Sequence, residues 1–274
     1  LRNGADHSLA THKLGTPLTA GIEAQNLSVV LRLLEHGADP NAKDDLGQTP
    51  LHMAVALDNA DIVQALLEQQ AAPNARTDAG WTPLHTAALK GAARTVQLLL
   101  AYAADINATE NRARTPLHIA SMRDDPGVLT VLIANGADHS LHDNAGQTPL
   151  HTAVAAQATP AITALLTCGV DPLQTDNEGR TPLQLARDMA AEGNVILAIR
   201  AAAVTAVEDL IRKADITRLK EVPDLPALVH LARIDDLIPL EYATHQNIGD
   251  LVTFLESINK RDPSDPSDPT DPFR

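Results

Sequence analysis

The chain has 274 residues, a formal net charge of −14 at pH 7 and an isoelectric point near 5.1. So acidic a chain is a poor match for nucleic acid, and no apolar run reaches the length that a bilayer crossing needs. Aromatic residues are 2% of the total, so a core must be assembled from Ala, Leu, Val and Ile. The one cysteine, Cys168, forms no internal disulfide and fits a reducing compartment.

The first residues, Leu1-Arg2-Asn3-Gly4-Ala5-Asp6, look like the end of something, because Asn3 to Leu9 is identical to Asn135 to Leu141. Upstream units are therefore expected. Thr16-Pro17-Leu18-Thr19 then opens a motif that returns every thirty-three residues. It reads Thr49-Pro50-Leu51-His52, Thr82-Pro83-Leu84-His85, Thr115-Pro116-Leu117-His118, Thr148-Pro149-Leu150-His151 and Thr181-Pro182-Leu183-Gln184. Residues 43–75 show what one unit does. Thr49 caps a helix and Pro50 takes its first position, where an N–H would lack a partner anyway. Leu51, Ala54 and Val55 share one face, Asp58-Asn59 interrupts, and Ile62, Val63, Leu66 and Leu67 predict a second helix. Asp44-Asp45-Leu46-Gly47-Gln48 predicts the turn between units. One helix pair buries a single face, so its stability has to come from stacking on neighbours.

The motif and its period resemble the ankyrin repeat. The resemblance implies an all-α solenoid, in which helix-turn-helix pairs are joined by β-hairpin loops. The array is expected over 1–207, with a partial unit at 1–9 and repeats at 10–42, 43–75, 76–108, 109–141, 142–174 and 175–207. In the family, the motif histidine links its threonine to the backbone of the adjacent repeat. That gives His52, His85, His118 and His151 a structural role, and one repeat of separation leaves no two able to share a zinc ion. Left-handed backbone at the end of the second helix favours glycine, as at Gly37, Gly136 and Gly169, yet Gln70 and Ala103 stand there. Ala113 likewise replaces the loop glycine of Gly47, Gly80, Gly146 and Gly179. Residues 68–114 are thus expected to form a soft joint between stiffer flanks.

After 207 the register breaks. Glu208-Asp209-Leu210-Ile211 and Ile216-Thr217-Arg218-Leu219 predict short helices, interrupted by Pro223 and Pro226. Ile238-Pro239-Leu240-Glu241-Tyr242-Ala243 predicts a degenerate repeat, so 208–261 is expected to be an irregular helical C-terminal cap. The stretch 262–274 repeats Asp-Pro-Ser/Thr, which favours solvated polyproline II and suits a spacer.

No G-x-S-x-G, P-loop or dinucleotide fingerprint occurs, and Cys168 has no basic neighbour in sequence to activate it. No enzyme, cofactor or metal site is expected. The resemblance implies instead a protein partner held on a concave strip of loop tips and first helices. The middle of that strip gathers Trp81, Lys90, Arg112, Arg114, Met122 and Arg123. This patch is basic on an acidic protein and rich in residue types that dominate binding hot spots. A blander reading packs Trp81 on its neighbour and pairs the arginines with Asp78 or Glu110. The expected function is a non-catalytic, monomeric, cytoplasmic interaction module (an adaptor, microbial effector or inhibitor) whose partner presents an acidic surface. A targeting segment of a larger enzyme is the alternative.

Overall fold

The computed structural model describes residues 15–191, 193–232, 237 and 239–259. The partial unit at 1–9, Ile238 and the Asp-Pro tail at 262–274 lie outside the described residues. Sixteen helices form among the described residues, and no β-strand does. The chain divides into two compact units, 1–168 and 169–274.

The first unit is five helix pairs: α1 (Pro17–Glu23) with α2 (Leu27–Glu35), α3 (Pro50–Ala56) with α4 (Ala60–Glu68), and α5 (Pro83–Lys90) with α6 (Ala93–Ala101). They continue as α7 (Pro116–Ser121) with α8 (Gly127–Ala134), and α9 (Pro149–Ala155) with α10 (Thr159–Thr167). First helices stack on first helices and second on second along the unit. Leu51, Leu84, Leu117 and Leu150 are fully buried, and each such side chain contributes roughly 1.5–3 kcal/mol relative to exposure. Stacking is what buries them. Val29 is 42% exposed on the face of α2 that no described helix pair covers, whereas Ile62, one period later, is 0% exposed.

The first helices α3, α5, α7 and α9 each start with a reciprocal cap, whereas α1, with Thr19 in place of the histidine, has only the Thr16 half of it. The Thr49 N–H donates to Nδ1 of His52 at 3.2 Å, and Nε2–H of the same ring donates to the Trp81 carbonyl at 3.1 Å. Thr82, His85 and the Arg114 carbonyl repeat this at 3.3 and 3.0 Å. Thr115, His118 and the Gln147 carbonyl do so at 3.1 and 3.0 Å. Because Nδ1 accepts an N–H, the single ring proton sits on Nε2. Burial pushes His52, His85 and His118 below the ordinary histidine pKa, against the raising effect of the carbonyl each one holds.

The connections are tight turns, not paired strands. Asp44 N–H donates to the Gln48 carbonyl at 2.9 Å and Gly47 N–H to the Asp44 carbonyl at 3.0 Å, while Asp78 N–H reaches back to the Leu46 carbonyl at 3.0 Å. Asn111 N–H to Ala79 and Asn144 N–H to Arg112 continue the same tie at 3.2 and 3.0 Å. Neighbouring loops come so close that a β-carbon on Gly80 would stand 2.5 Å from Asn111 Oδ1 and 3.0 Å from its backbone nitrogen.

Gln70, Ala103 and Ala113 do occupy left-handed backbone, with φ of 63°, 60° and 60°. Two of the three, Gln70 and Ala103, are held by hydrogen bonds from the preceding repeat. Asn41 accepts the Ala72 N–H at 2.8 Å and donates to the Gln70 carbonyl at 3.1 Å. Asn74 treats the Asp105 N–H and Ala103 carbonyl alike, at 2.7 and 3.1 Å. The asparagine of the preceding repeat therefore holds the chain just after Gln70 and Ala103 through two bonds, and Ala113 has no counterpart. Left-handed non-glycine residues also recur outside the centre, at Gln25, Asp58 and Gln157, where the first helix turns into the second. Strain is spread along the array.

The second unit is built differently. α11 (Pro182–Asp188) keeps the repeat's start, with the Thr181 N–H donating to Gln184 Oε1 at 2.9 Å. α12 (Gly193–Arg212) is 20 residues long and runs through 207 into the stretch where a separate short helix was expected. Val195, Ile199, Ala203, Val207 and Ile211 form its buried stripe, a four-residue spacing along one helical face. Against it pack α11, α13 (Ile216–Glu221), α14 (Leu225–Leu231) and α15 (Pro239–His245); α16 (Gly249–Asn259) then packs on α15. Asp224, left-handed at φ 55°, receives Arg187 at 3.1 Å and Gln184 at 3.4 Å.

Two outcomes are expected. A histidine whose folded pKa is lowered contributes stability that is fully present above the unfolded value of about 6.5 and lost as pH falls toward the folded value. Chemical denaturation between pH 7.5 and 5 should show stability falling by up to about 1.4 kcal/mol per pH unit per histidine. Replacing His85 and His118 by Gln, the residue that caps α11, should flatten that slope, and an unchanged slope would refute the assignment. Asn74→Ala should cost about 1 kcal/mol in urea denaturation, because it frees the clamp on Ala103.

Candidate functional site

The stacking above turns four loops and the first helices that follow them into a strip whose rows repeat every thirty-three residues. The loop-tip row is Leu46, Ala79, Arg112 and Ala145, and the row beside it is Gln48, Trp81, Arg114 and Gln147. The helix-end rows are Ala56, Leu89, Met122 and Ala155, then Leu57, Lys90, Arg123 and Ala156. Loop backbones are tied to one another, so the side chains in these rows are what can differ from repeat to repeat without disturbing the stack.

The six residues expected as a patch differ in how far their side chains are already engaged within the array. Trp81 is half-buried, with its ring 5.8 Å from that of His85 and tilted by 48°, so part of its surface belongs to the core. Arg114 is only 20% exposed in its side chain and pairs with Glu110 at 3.0 Å. Burial alone would raise the Glu110 carboxyl, but Arg114 and the N–H groups of Arg114 and Arg112 outweigh it and hold the pKa below the ordinary value. The pair is a loop-closing device, like Arg180 with Asp176 in the second unit at 2.9 Å.

Arg123 is spent in another way. Its Nη1 donates to the Leu89 carbonyl at 2.5 Å, near the end of α5. A β-carbon on Gly91 would lie 2.8 Å from its Nη2. Gly91, left-handed at φ 76°, leaves room for the guanidinium to lie across the helix end. A cation there satisfies one of the last carbonyls and opposes the negative end of the helix dipole. Its buried Nε has no hydrogen-bond partner among the described residues. Of the four cations, Lys90 and Arg112 are exposed and form no ion pair among the described residues.

Two features were not picked out from the sequence. Leu46 is 62% exposed, Leu57 38% and Leu89 43%, so the strip next to Trp81 is apolar. Their identity as loop-tip and helix-end residues was visible in the register, but their exposure was not. The second feature is a groove of about 450 Å³ lined by Arg112, Arg114, Met122, Asn144, Gln147, Ala155 and neighbouring residues. It brings together three of the six expected residues, and the cause is a step in side-chain size. Leu89-Lys90 and Met122-Arg123 give way to Ala155-Ala156 at the same register, and Arg112 to Ala145. No cluster of His, Cys, Asp or Glu able to hold a metal occurs among the described residues, and no described helix is long and apolar enough to cross a membrane.

Arg123→Ala should lower stability by about 1 kcal/mol through loss of the helix-end bond. Gly91→Ala should cost about 1–2 kcal/mol for left-handed strain, plus the displacement of Arg123. In a double-mutant cycle the Gly91→Ala cost should shrink once Arg123 is already Ala. Additive costs would show that the two residues do not interact.

Among known proteins, the model for ankyrin repeats in three copies matches residues 1–77, 18–110, 60–143 and 117–218. No curated protein sequence matches. Chains of solved structures match in number, 566 of them, so the likeness identifies a scaffold and leaves its ligand open. One is the crystal structure of the ankyrin repeat domain of Bcl-3, described as a unique member of the IkappaB protein family. It shares 30% identity over 73% of this chain and 88% of its own, with a TM-score of 0.65.

Proposed function

The chain belongs to the ankyrin repeat family, whose repeats generally serve as protein–protein interaction modules, and from that premise we propose that it binds a protein partner along its loop-tip and first-helix strip. The observation that carries this is a hydrogen-bonded loop backbone that presents exposed leucines, Leu46 at a loop tip and Leu57 and Leu89 at first-helix ends, in the repeat of Trp81 and the one before it. Single exposed leucines are ordinary, but three on one strip, in the two repeats that include the tryptophan, suit a hot spot. Lys90 and Arg112 rim this run as exposed cations on a protein of net charge −14, which suits a partner with an acidic contact surface. The work is binding and not catalysis, and the motif histidines support this, since both nitrogens of His52, His85 and His118 are engaged in the stack. The module acts as a monomer in the cytoplasm, with the repeats of the first unit carrying the binding strip.

The test is a binding measurement with the partner recovered by crosslinking to the full chain. Leu89→Ala with Leu46→Ser should weaken affinity by roughly tenfold or more, with little change in denaturation midpoint because both residues are exposed. Trp81→Ala should weaken affinity and also lower stability, because its ring packs on His85. Full affinity in the leucine double variant would place the contact elsewhere.

A further inference from the structure

We propose that the groove between the fourth and fifth helix pairs is a side-chain notch for an extended peptide segment of the partner. Within that segment, an Asp or Glu next to a medium-sized apolar residue would be the recognised pair. This rests on the reading of the strip as a protein-binding surface and specifies one subsite within it.

The notch follows from the sequence step described above. At the helix-end rows the side chains shrink from Met122 to Ala155 and from Arg123 to Ala156, and Ala155 and Ala156 are exposed. The space left beside Met122 is about 450 Å³, within the range of sites that enclose a small group. Its floor is Met122, Ala155 and Ala156. Met122 is half-buried and unbranched, and such a side chain adapts to an incoming apolar group. Thr152 offers no free hydroxyl proton, since it donates to the Thr148 carbonyl at 3.2 Å. A medium apolar side chain fits the surface made by Met122, Ala155 and Ala156, which carry no polar side-chain group.

Charge fixes the other half of the segment. Of the charged groups lining the groove, Arg114 is already paired with Glu110, and Asp143 turns Oδ1 to its own loop, accepting the N–H groups of Ala145 and Gln147 at 2.8 and 2.9 Å. Arg112 is the exposed cation at the rim without an ion pair among the described residues. A guanidinium so placed matches a carboxylate in a two-bond geometry. Successive residues of an extended peptide point to opposite sides, about 3.3 Å apart along the chain. The acidic and apolar residues are therefore expected one residue apart, on the same side.

The test uses the full chain and a displayed library of random twelve-residue peptides. Enriched peptides should share Asp or Glu at i with Val, Ile, Leu or Met at i±2. Arg112→Ala should weaken their binding roughly tenfold. Ala155→Met, which restores the size found at Met122 and leaves a good helix former in place, should block them while the thermal midpoint stays unchanged. Binders that withstand both substitutions but fail with Leu89→Ala would overturn the notch and leave the strip as a binding surface. Binders that need the notch yet carry no acidic residue would overturn the pairing with Arg112. A library that yields no binder to any part of the strip would count against the notch and the wider reading together.

Discussion

The structure of the array depends on one bridge, a buried neutral imidazole between a helix start and the next repeat's loop. Each ring closes its own cap through Nδ1 and holds a neighbour's carbonyl through Nε2. Local and non-local structure are thereby made by the same side chain. A helix of six to eight residues is too short to persist alone, and the cap that starts it is also the bond that stacks it. The charges facing the rings divide by sign: Asp44 opposes the effect of Lys43 at His52, Glu110 that of Arg76 and Arg114 at His85, and Asp143 that of Arg114 and His142 at His118. Burial decides the outcome.

Two further ladders run parallel to the histidines. Loop backbones donate to the preceding loop, and asparagine side chains from one repeat hold the left-handed residue ending the next repeat's second helix. The asparagine ladder ends in sequence where Ser140 and Leu173 occupy the register of Asn41, Asn74 and Asn107. Lys43 and Arg76 join the same effort, donating to the Arg76 and Thr109 carbonyls at 3.0 and 2.6 Å. Much of the positive charge on the strip is therefore structural. What is left for a partner is a smaller set of groups than the composition suggests, and it is more apolar.

The second unit shows what happens when the bridge changes. Gln184 still caps α11, but its free amide nitrogen donates to Asp224, drawing a later helical turn onto the repeat's start. The two-helix alternation then gives way to a single long helix with four others packed on it. Gln carries no titrating ring, so this end of the chain keeps its cap without a protonation cost.

The sequence by itself determined the repeat, its period, the helix starts and the motif's structural role. The helix starts rest on contacts three residues apart, which local spacing fixes, whereas the histidine's second bond, to a carbonyl 29 residues on, was implied by the resemblance to the ankyrin repeat. It also located Gln70 and Ala103 in left-handed backbone, because a helix end dictates that conformation wherever it falls. It could not tell whether those residues would be weak, since the answer lies in an asparagine about thirty residues earlier. Nor could it divide four cations between structure and surface. Arg114 and Glu110 are four residues apart and were readable as a pair. Arg123 reaches back thirty-four residues to Leu89 and depends on the gap left at Gly91. The groove at Ala155 exists only because two first helices lie side by side, where a difference in side-chain size becomes a volume. Tertiary structure decided these things because stacking brings together residues one period apart, and spacing along the chain records no distance across it.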